Sequence, residues 1–366
     1  MNRFAPYLAE ITQLTQQTQT DDKGGYYVHP QLRNLGCVSV VVLREAIAPV
    51  VFRNAEAEIT DIEIGDEVYI RAVPNKFKYP EKGRGLQILR ALNVGGRLPQ
   101  NKTVLYRGQR PSDAFDLNTV VFGDSTNYET RVLPVKAAVN YSDGLSLLPK
   151  ALCVDETFHN RAAEDGTLFD AESKKNSDNL FSRYFIKPGT LMVQVLSTRG
   201  RVLPLIGLKH LLLCVGLAGS YGGQTSLTGT NLRTRLVGLY GGRFEQALTS
   251  PYELVKALSG ESEEALCDPA AVTTRLHEKL NATHEIALPP GEAQAWLTQL
   301  VDSFDTGGVL AEEYRQAAPR VAELFDQWFG KDDASAAKKE DGGKKGRRGK
   351  VEDNSKAGDL PLGEAD

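Results

Sequence analysis

The chain has 366 residues, is 41% hydrophobic and 25% charged, and carries a formal net charge of −4 at pH 7, which excludes a disordered, collagenous or coiled-coil chain and leaves room for one large core or two modest ones. Four cysteines, Cys37, Cys153, Cys214 and Cys267, stand at no metal-ligand spacing, so neither a zinc knuckle nor a disulfide framework is expected. The N-terminus lacks a signal-type apolar core, and the most apolar run, Val202–Gly219, is interrupted by Lys209 and His210; the expectation is a reduced, cytoplasmic, soluble protein.

Taken in order, Cys37–Glu45 is β-branched and nearly continuous and predicts a buried strand. Ile62–Pro74 alternates and predicts a hairpin arm. Gly83–Gly96 predicts a short helix between glycine stops. Asn118–Asp124 predicts a short strand and Val132–Tyr141 a longer one. A Pro-Gly turn precedes a strand at Thr190–Thr198, and Leu203–Leu217, apolar nearly all round, predicts an interior helix. Leu232–Tyr240 predicts a last strand with Arg233 and Arg235 on one face and Leu232, Thr234 and Leu236 on the other. The reduced order of strand, helix, strand, strand, helix, strand is an α+β plan, the ferredoxin-like βαββαβ core shared by RNA-recognition modules.

Long insertions interrupt this plan: finger-like segments at 46–82 and 97–131, and an arm at 142–187. The polar middle of the arm is bracketed by Phe158, Phe169, Phe181, Tyr184 and Phe185, which suit either a wedge between nucleotides or an anchor to the arm's own body. From Ser250 four helical stretches with N-terminal Ser, Asp or Pro signals form an acidic unit over 251–330, the last interrupted by Pro319. The tail at 331–366, with its KKGRRGK run, has the composition of a disordered segment.

The modest net charge hides a strong segregation. Residues 1–250 hold 29 Lys and Arg against 24 Asp and Glu, whereas residues 251–330 hold 5 against 14. From Tyr69 to Arg110, a segment containing Lys76, Lys78, Lys82, Arg84 and Arg90, there is one acid, Glu81; from Phe181 to Phe244 there is none. Two acid-poor stretches within a folded, apolar region point to a surface that attracts a polyanion. Enzyme motifs are missing. Gly219–Gly229 is glycine-rich enough for backbone amides to approach an anion, but it lacks the G-K-[ST] ending of a P-loop. The same loop also suits a turn needed only for close packing. No nucleophile–base set and no metal-ligand set assembles, and no cofactor is expected.

Three strings, VVLREAIAPVVFRNAE after the first strand, SRYFIKPGTLMVQV after the arm and GLAGSYGGQTSLTGTNLRTRLVGLYG at the end of the core, in this order of elements, resemble the Cas-seven-type backbone protein of class 1 CRISPR effector (Cascade) complexes, in its type I-D, Csc-two form. The resemblance covers roughly residues 30–250. It implies many copies side by side along a CRISPR RNA, which each subunit holds for pairing with target DNA, and a thumb that interrupts the pairing. It implies as further partners the large, small, foot-end and RNA-processing subunits. Carried onto this chain, it implies RNA contacts from Arg53 and Asn54 after the first strand, from Lys82, Gly83, Arg84 and Arg90 on the helix, and from the Gly222, Gly223, Gln224, Thr225 loop. The thumb corresponds to Thr157–Arg183, including Phe158 and His159. Some relatives carry paired cysteines in an insertion before the second core strand; the matching stretch here has none. Lys76, Lys78, Arg233 and Arg235 join the expected contacts on their charge. Two other classes remain: an RNA-cleaving backbone of the type III kind, using Glu56, Glu58 or Asp61, and a self-assembling structural protein that binds no nucleic acid.

Overall fold

Cys37–Ala46 (β1) is buried along nearly its whole length, and a strand apolar on both faces has to lie in a sheet covered on both sides. In the computed structural model, which describes residues 2–14, 19–21, 24–26, 34–52, 59–95, 104–105, 109–128, 131–160, 169–170, 174–176, 180–223 and 229–341, β1 lies in the interior of an eight-stranded sheet. The chain continues through β2 (Asp61–Ile64), β3 (Glu67–Ala72), helix α1 (Asn75–Ala91), helix α2 (Leu117–Phe122), β4 (Asp124–Tyr128), β5 (Arg131–Val135), β6 (Val139–Tyr141) and β7 (Gly144–Pro149). The arm strands β8 (Val154–Asn160) and β9 (Leu180–Ile186) follow, then β10 (Leu191–Thr198), α3 (Leu205–Leu217) and β11 (Leu232–Gly242). The C-terminal part supplies α4 (Pro251–Ala257), α5 (Glu263–Cys267), α6 (Pro269–Asn281), β12 (Ile286–Leu288), α7 (Pro290–Asp302) and α8 (Val309–Asp341).

The sheet order is β12-β11-β1-β10-β7-β3-β2, with β6 also paired to β10, and every pairing is antiparallel. The fold is thus mixed α/β, built on an antiparallel sheet with helices on both faces. Strand alternation divides the core. Val38, Val40 and Val42 face α1, α2, α3, α7 and α8, whereas Val41 and Leu43 face α4 and α6. The acidic stretch 251–330 therefore straddles the sheet, and β12 in its middle extends the sheet edge beside β11.

Several elements differ from the sequence expectation. Helix α1 begins at Asn75, not Gly83. Gly83 lies inside the helix rather than at its start, and Gly85 is a contact point: a Cβ there would stand 2.1 Å from Asn118 Oδ1 and 2.8 Å from His210 Nε2, where α1 meets α2 and α3. The expected strand at Asn118–Asp124 is helix α2, because Asp116 and Thr119 cap its start reciprocally, at 3.2 and 3.3 Å, and all six of its residues are buried. The expected strand Val132–Tyr141 divides into β5 and β6, since the Ala138 amide donates to Val120 O at 2.9 Å; β5 pairs with β4 outside the main sheet. Gly144–Pro149, assigned from sequence to the arm, is the sheet strand β7. Helix α8 runs through Pro319 without a break.

A buried ion pair ties the layers together. Arg44, between Leu43 and Glu45 on β1, points to the α1 side, and its Nη1 lies 2.7 Å from Glu81 Oε1 of α1, both side chains wholly buried. The remaining donors of Arg44 go to Gln194 Oε1 of β10, at 3.2 and 2.9 Å, and to Thr234 Oγ1 of β11, at 2.7 Å. Glu81 also accepts from the hydroxyls of Tyr221, at 2.9 Å, and Tyr141. Burial by itself works against the charge on Arg44, but Glu81 beside it holds the guanidinium proton more tightly than usual. Burial, and then Glu81, push both tyrosine pKa values well above the ordinary phenol range. Removing one member of such a pair strands a buried charge. Glu81→Gln is therefore expected to cost about 3 kcal/mol in chemical denaturation, and Arg44→Met with Glu81→Leu together to cost less than the two single changes summed.

His210 of α3 lies in the same interior between Tyr314 (3.0 Å) and Asn118 (3.1 Å). Burial lowers its pKa from 6.5 to about 3. The unfolded chain binds this proton near pH 6.5 and the folded chain only near pH 3, so the contribution is intact above about 6.5 and is lost as the pH falls toward 3, at up to about 1.4 kcal/mol per pH unit. In urea titrations over that window, His210→Gln is expected to give a flatter dependence of stability on pH than the native chain.

Candidate nucleic-acid interface

At the carboxyl end of β1 three elements meet through backbone hydrogen bonds. Val50 N donates to Ile186 O at 3.2 Å and Ile186 N to Val50 O at 2.8 Å, which ties the root of the arm to the loop after β1. Gly223 N donates to Val51 O at 2.9 Å, which ties the glycine-rich turn to the same loop. The approach requires glycine: Gly222 has φ +78°, and a Cβ there would stand 2.6 Å from Val51 O. Asn231, fully buried, closes the turn from its other side by accepting from Tyr221 N at 2.9 Å and donating to Tyr221 O at 2.8 Å. An aromatic row completes the junction. Phe52 meets Phe77 of α1 edge-on at 5.1 Å, and Phe77 meets Tyr221 at 6.0 Å, so the start of α1 is held against the turn.

The expected contact residues fall in different surroundings. Arg53, Asn54, Gln224 and Thr225 lie outside the described residues. Lys76 and Lys78 flank Phe77 on α1; Lys78 is partly buried, and burial together with neighbouring Lys82 lowers its pKa below the usual ammonium value. Lys82 donates to Gly123 O at 2.8 Å and pairs with Asp124 at 3.2 Å, facing the turn after α2. Arg84 is exposed, with Nη1 on Gln87 Oε1 at 2.8 Å, and Arg90 is exposed in the last turn of α1. α1 thus turns Arg84 and Arg90 outward and its one acid, Glu81, inward against Arg44. Arg84 lines an open cleft of about 480 Å³ together with Gly219, Ser220 and Thr230, and with Thr298 and Asp302 of α7.

Arg233 and Arg235 share one face, as the alternation predicts, with Thr234 between them turned to Arg44 on the other. That places the arginine pair on the sheet face opposite α1. Their partner is Glu45, at 3.5 and 3.2 Å, while Glu245 and Glu253 pair with Arg199 and Lys256. Nothing in the sequence singles out Glu45, which becomes visible only in the register that sets Arg233 opposite it.

The arm is a two-stranded ribbon in which Thr157 stands opposite Arg183 and Phe158 opposite Ser182. Phe158 and Tyr184 fall on one face and are 62% and 43% exposed. His159, Phe169 and Phe181 lie on strands whose side chains fall outside those described. Of the acids considered for cleavage, Glu56 and Glu58 lie outside the described residues, and Asp61 is paired with Lys150. Among the described residues no group of three His, Cys, Asp or Glu is placed to hold a metal ion, and no helix is long and apolar enough to cross a membrane.

Comparison with known proteins accords with this geometry. A family model described as Csc2 Crispr matches residues 109–287. The chain is similar in structure to the crystal structure of Thermofilum pendens Csc2, with a TM-score of 0.57 and 16% identity over 89% of this chain and 94% of that one. A chain of a "CRISPR RNA-guided surveillance complex, pre-nicking" aligns with a TM-score of 0.46 and 11% identity over 69% of this chain and 90% of that one. No curated protein matches. The family match covers residues 109–287, which span the arm, β10, α3, the glycine-rich turn and β11.

Proposed function

We propose that the chain is a CRISPR RNA-binding backbone subunit of a type I-D Cascade-like surveillance complex, repeating along the guide and holding it for pairing with target DNA. The observation that carries this reading is the junction at the carboxyl end of β1, where the post-β1 loop, the glycine-rich turn and the arm root are joined by backbone hydrogen bonds beside Lys76 and Lys78. Guide sequences vary, so such a subunit needs phosphate contacts rather than base contacts. Lysines and arginines supply them. The family match supports the assignment.

In this reading the core is ferredoxin-like, a view supported by the order β11-β1-β10-β7 with α1 and α3 on one face. Residues 1–250 then form the palm with its insertions, β8 and β9 carry the thumb, and the acidic stretch 251–330 faces protein neighbours. The partners are the guide RNA, further copies of the chain, the other Cascade subunits and, through the guide, target DNA. The subunit works in the cytoplasm and has no catalytic step of its own.

Binding to mixed-sequence single-stranded RNA is expected to be independent of base composition and to weaken about tenfold or more between about 50 and 200 mM salt. Lys76→Glu with Lys78→Glu is expected to flatten that dependence without lowering Tm. An affinity that barely responds to salt in anisotropy titrations would overturn the reading.

A further inference from the structure

One carboxylate oxygen gathers two arginines. Glu45 Oε2 lies 3.5 Å from Arg233 Nη1 and 3.2 Å from both Nε and Nη2 of Arg235. The Glu45 side chain is only 17% exposed, whereas those of Arg233 and Arg235 are 53% and 41% exposed, so the carboxylate sits behind the guanidinium pair and the outer edges of the forks face water. The stretch Phe181–Phe244 contains no acid of its own. The counter-charge of its arginine pair comes from β1, through the register that sets Glu45 opposite Arg233. The three charges sum to +1. Each guanidinium has five donors, and a single oxygen leaves most of the ten unused.

We propose that Glu45 is a built-in competitor of phosphate. It holds the two forks together on the outer face of β11, and a phosphate of a single-stranded nucleic acid takes its place on at least one of them. This rests on the RNA-binding reading above and deepens it. A carboxylate and a phosphate present similar paired acceptors to an arginine fork, so Glu45 keeps the forks aligned for phosphate while holding the affinity of the contact down. A subunit that lies beside many copies of itself along one strand gains its hold from the sum of contacts, and a weakened contact in each copy lets the strand settle in register.

The test uses the full chain and a short labelled mixed-sequence RNA, titrated by fluorescence anisotropy from about 50 to 300 mM salt. Glu45→Gln keeps the shape and removes the competing charge. It is expected to tighten binding about five- to tenfold at about 50 mM salt and to steepen the log K against log salt slope by about 0.7, one added phosphate contact on a single strand. In an Arg233→Ala/Arg235→Ala background the same change is expected to have no effect. If Glu45→Gln lowers the folded yield, Glu45→Asp, which draws the carboxylate back from the forks, is expected to shift affinity in the same direction by less. Native protein that binds RNA while folded Glu45 variants bind equally or more weakly overturns this proposal alone. Native protein that binds no RNA even at low salt overturns the functional reading and this proposal with it.

Discussion

Taking a guanidinium and a carboxylate out of water costs several kcal/mol each, and the cost is recovered only where the pair has good geometry and its remaining donors and acceptors are filled. Arg44 and Glu81 meet that condition through groups contributed by five other places in the chain: Tyr141, Gln194, Tyr221, Thr234 and the face of Phe77, which the guanidinium overlies at 5.1 Å. The pair therefore sets where α1 sits on the sheet. Through Phe77 and Tyr221 it also sets where the start of α1 and the glycine-rich turn stand relative to the loop after β1. Glu81 without Arg44 would be an uncompensated buried charge.

Neighbouring residues on a strand point to opposite faces, and β1 uses that fact twice at one step. Arg44 goes inward and takes up the only acid in the basic segment from Tyr69 to Arg110. Glu45 goes outward and gathers two arginines from the acid-free segment. The first placement leaves the exposed charges of α1 to Arg84 and Arg90. The second turns two separate cations into one organised group. The formal net charge of −4 is nearly silent about either, because the balancing acids are concentrated in residues 251–330. Charge position, rather than charge total, is what the proposed RNA-binding role rests on.

β1, β10 and α3 are legible in the sequence because nearly continuous apolar runs have to lie in the interior, and β11 is legible from its alternation, which sets Leu232 and Leu236 on one face. The arm is legible from a polar stretch bracketed by aromatics. Shorter pieces are not. Leu117–Phe122 carries two adjacent valines and reads as a strand, and only its reciprocal Asp116–Thr119 cap makes it helical. Gly83 reads as a stop but lies inside α1, and Gly85 is where α1 touches α2 and α3. Gly144–Pro149 is too brief to stand out between the arm and the preceding strand. At the candidate site, Gly222 and Gly223 and the bases of α1 stand out by spacing and composition. Glu81 and Glu45 could not, since their roles depend on which helix face is buried and on strand register.

Hydrogen exchange of the full chain with and without mixed-sequence single-stranded RNA tests the central claim most directly. The account predicts that RNA slows exchange at the amides around the β1 junction, namely Val50–Phe52, Tyr221–Gly223 and the first turns of α1, and leaves the acidic helices α4, α5 and α6 unchanged. Protection confined to those acidic helices, with the junction unaffected, would contradict it.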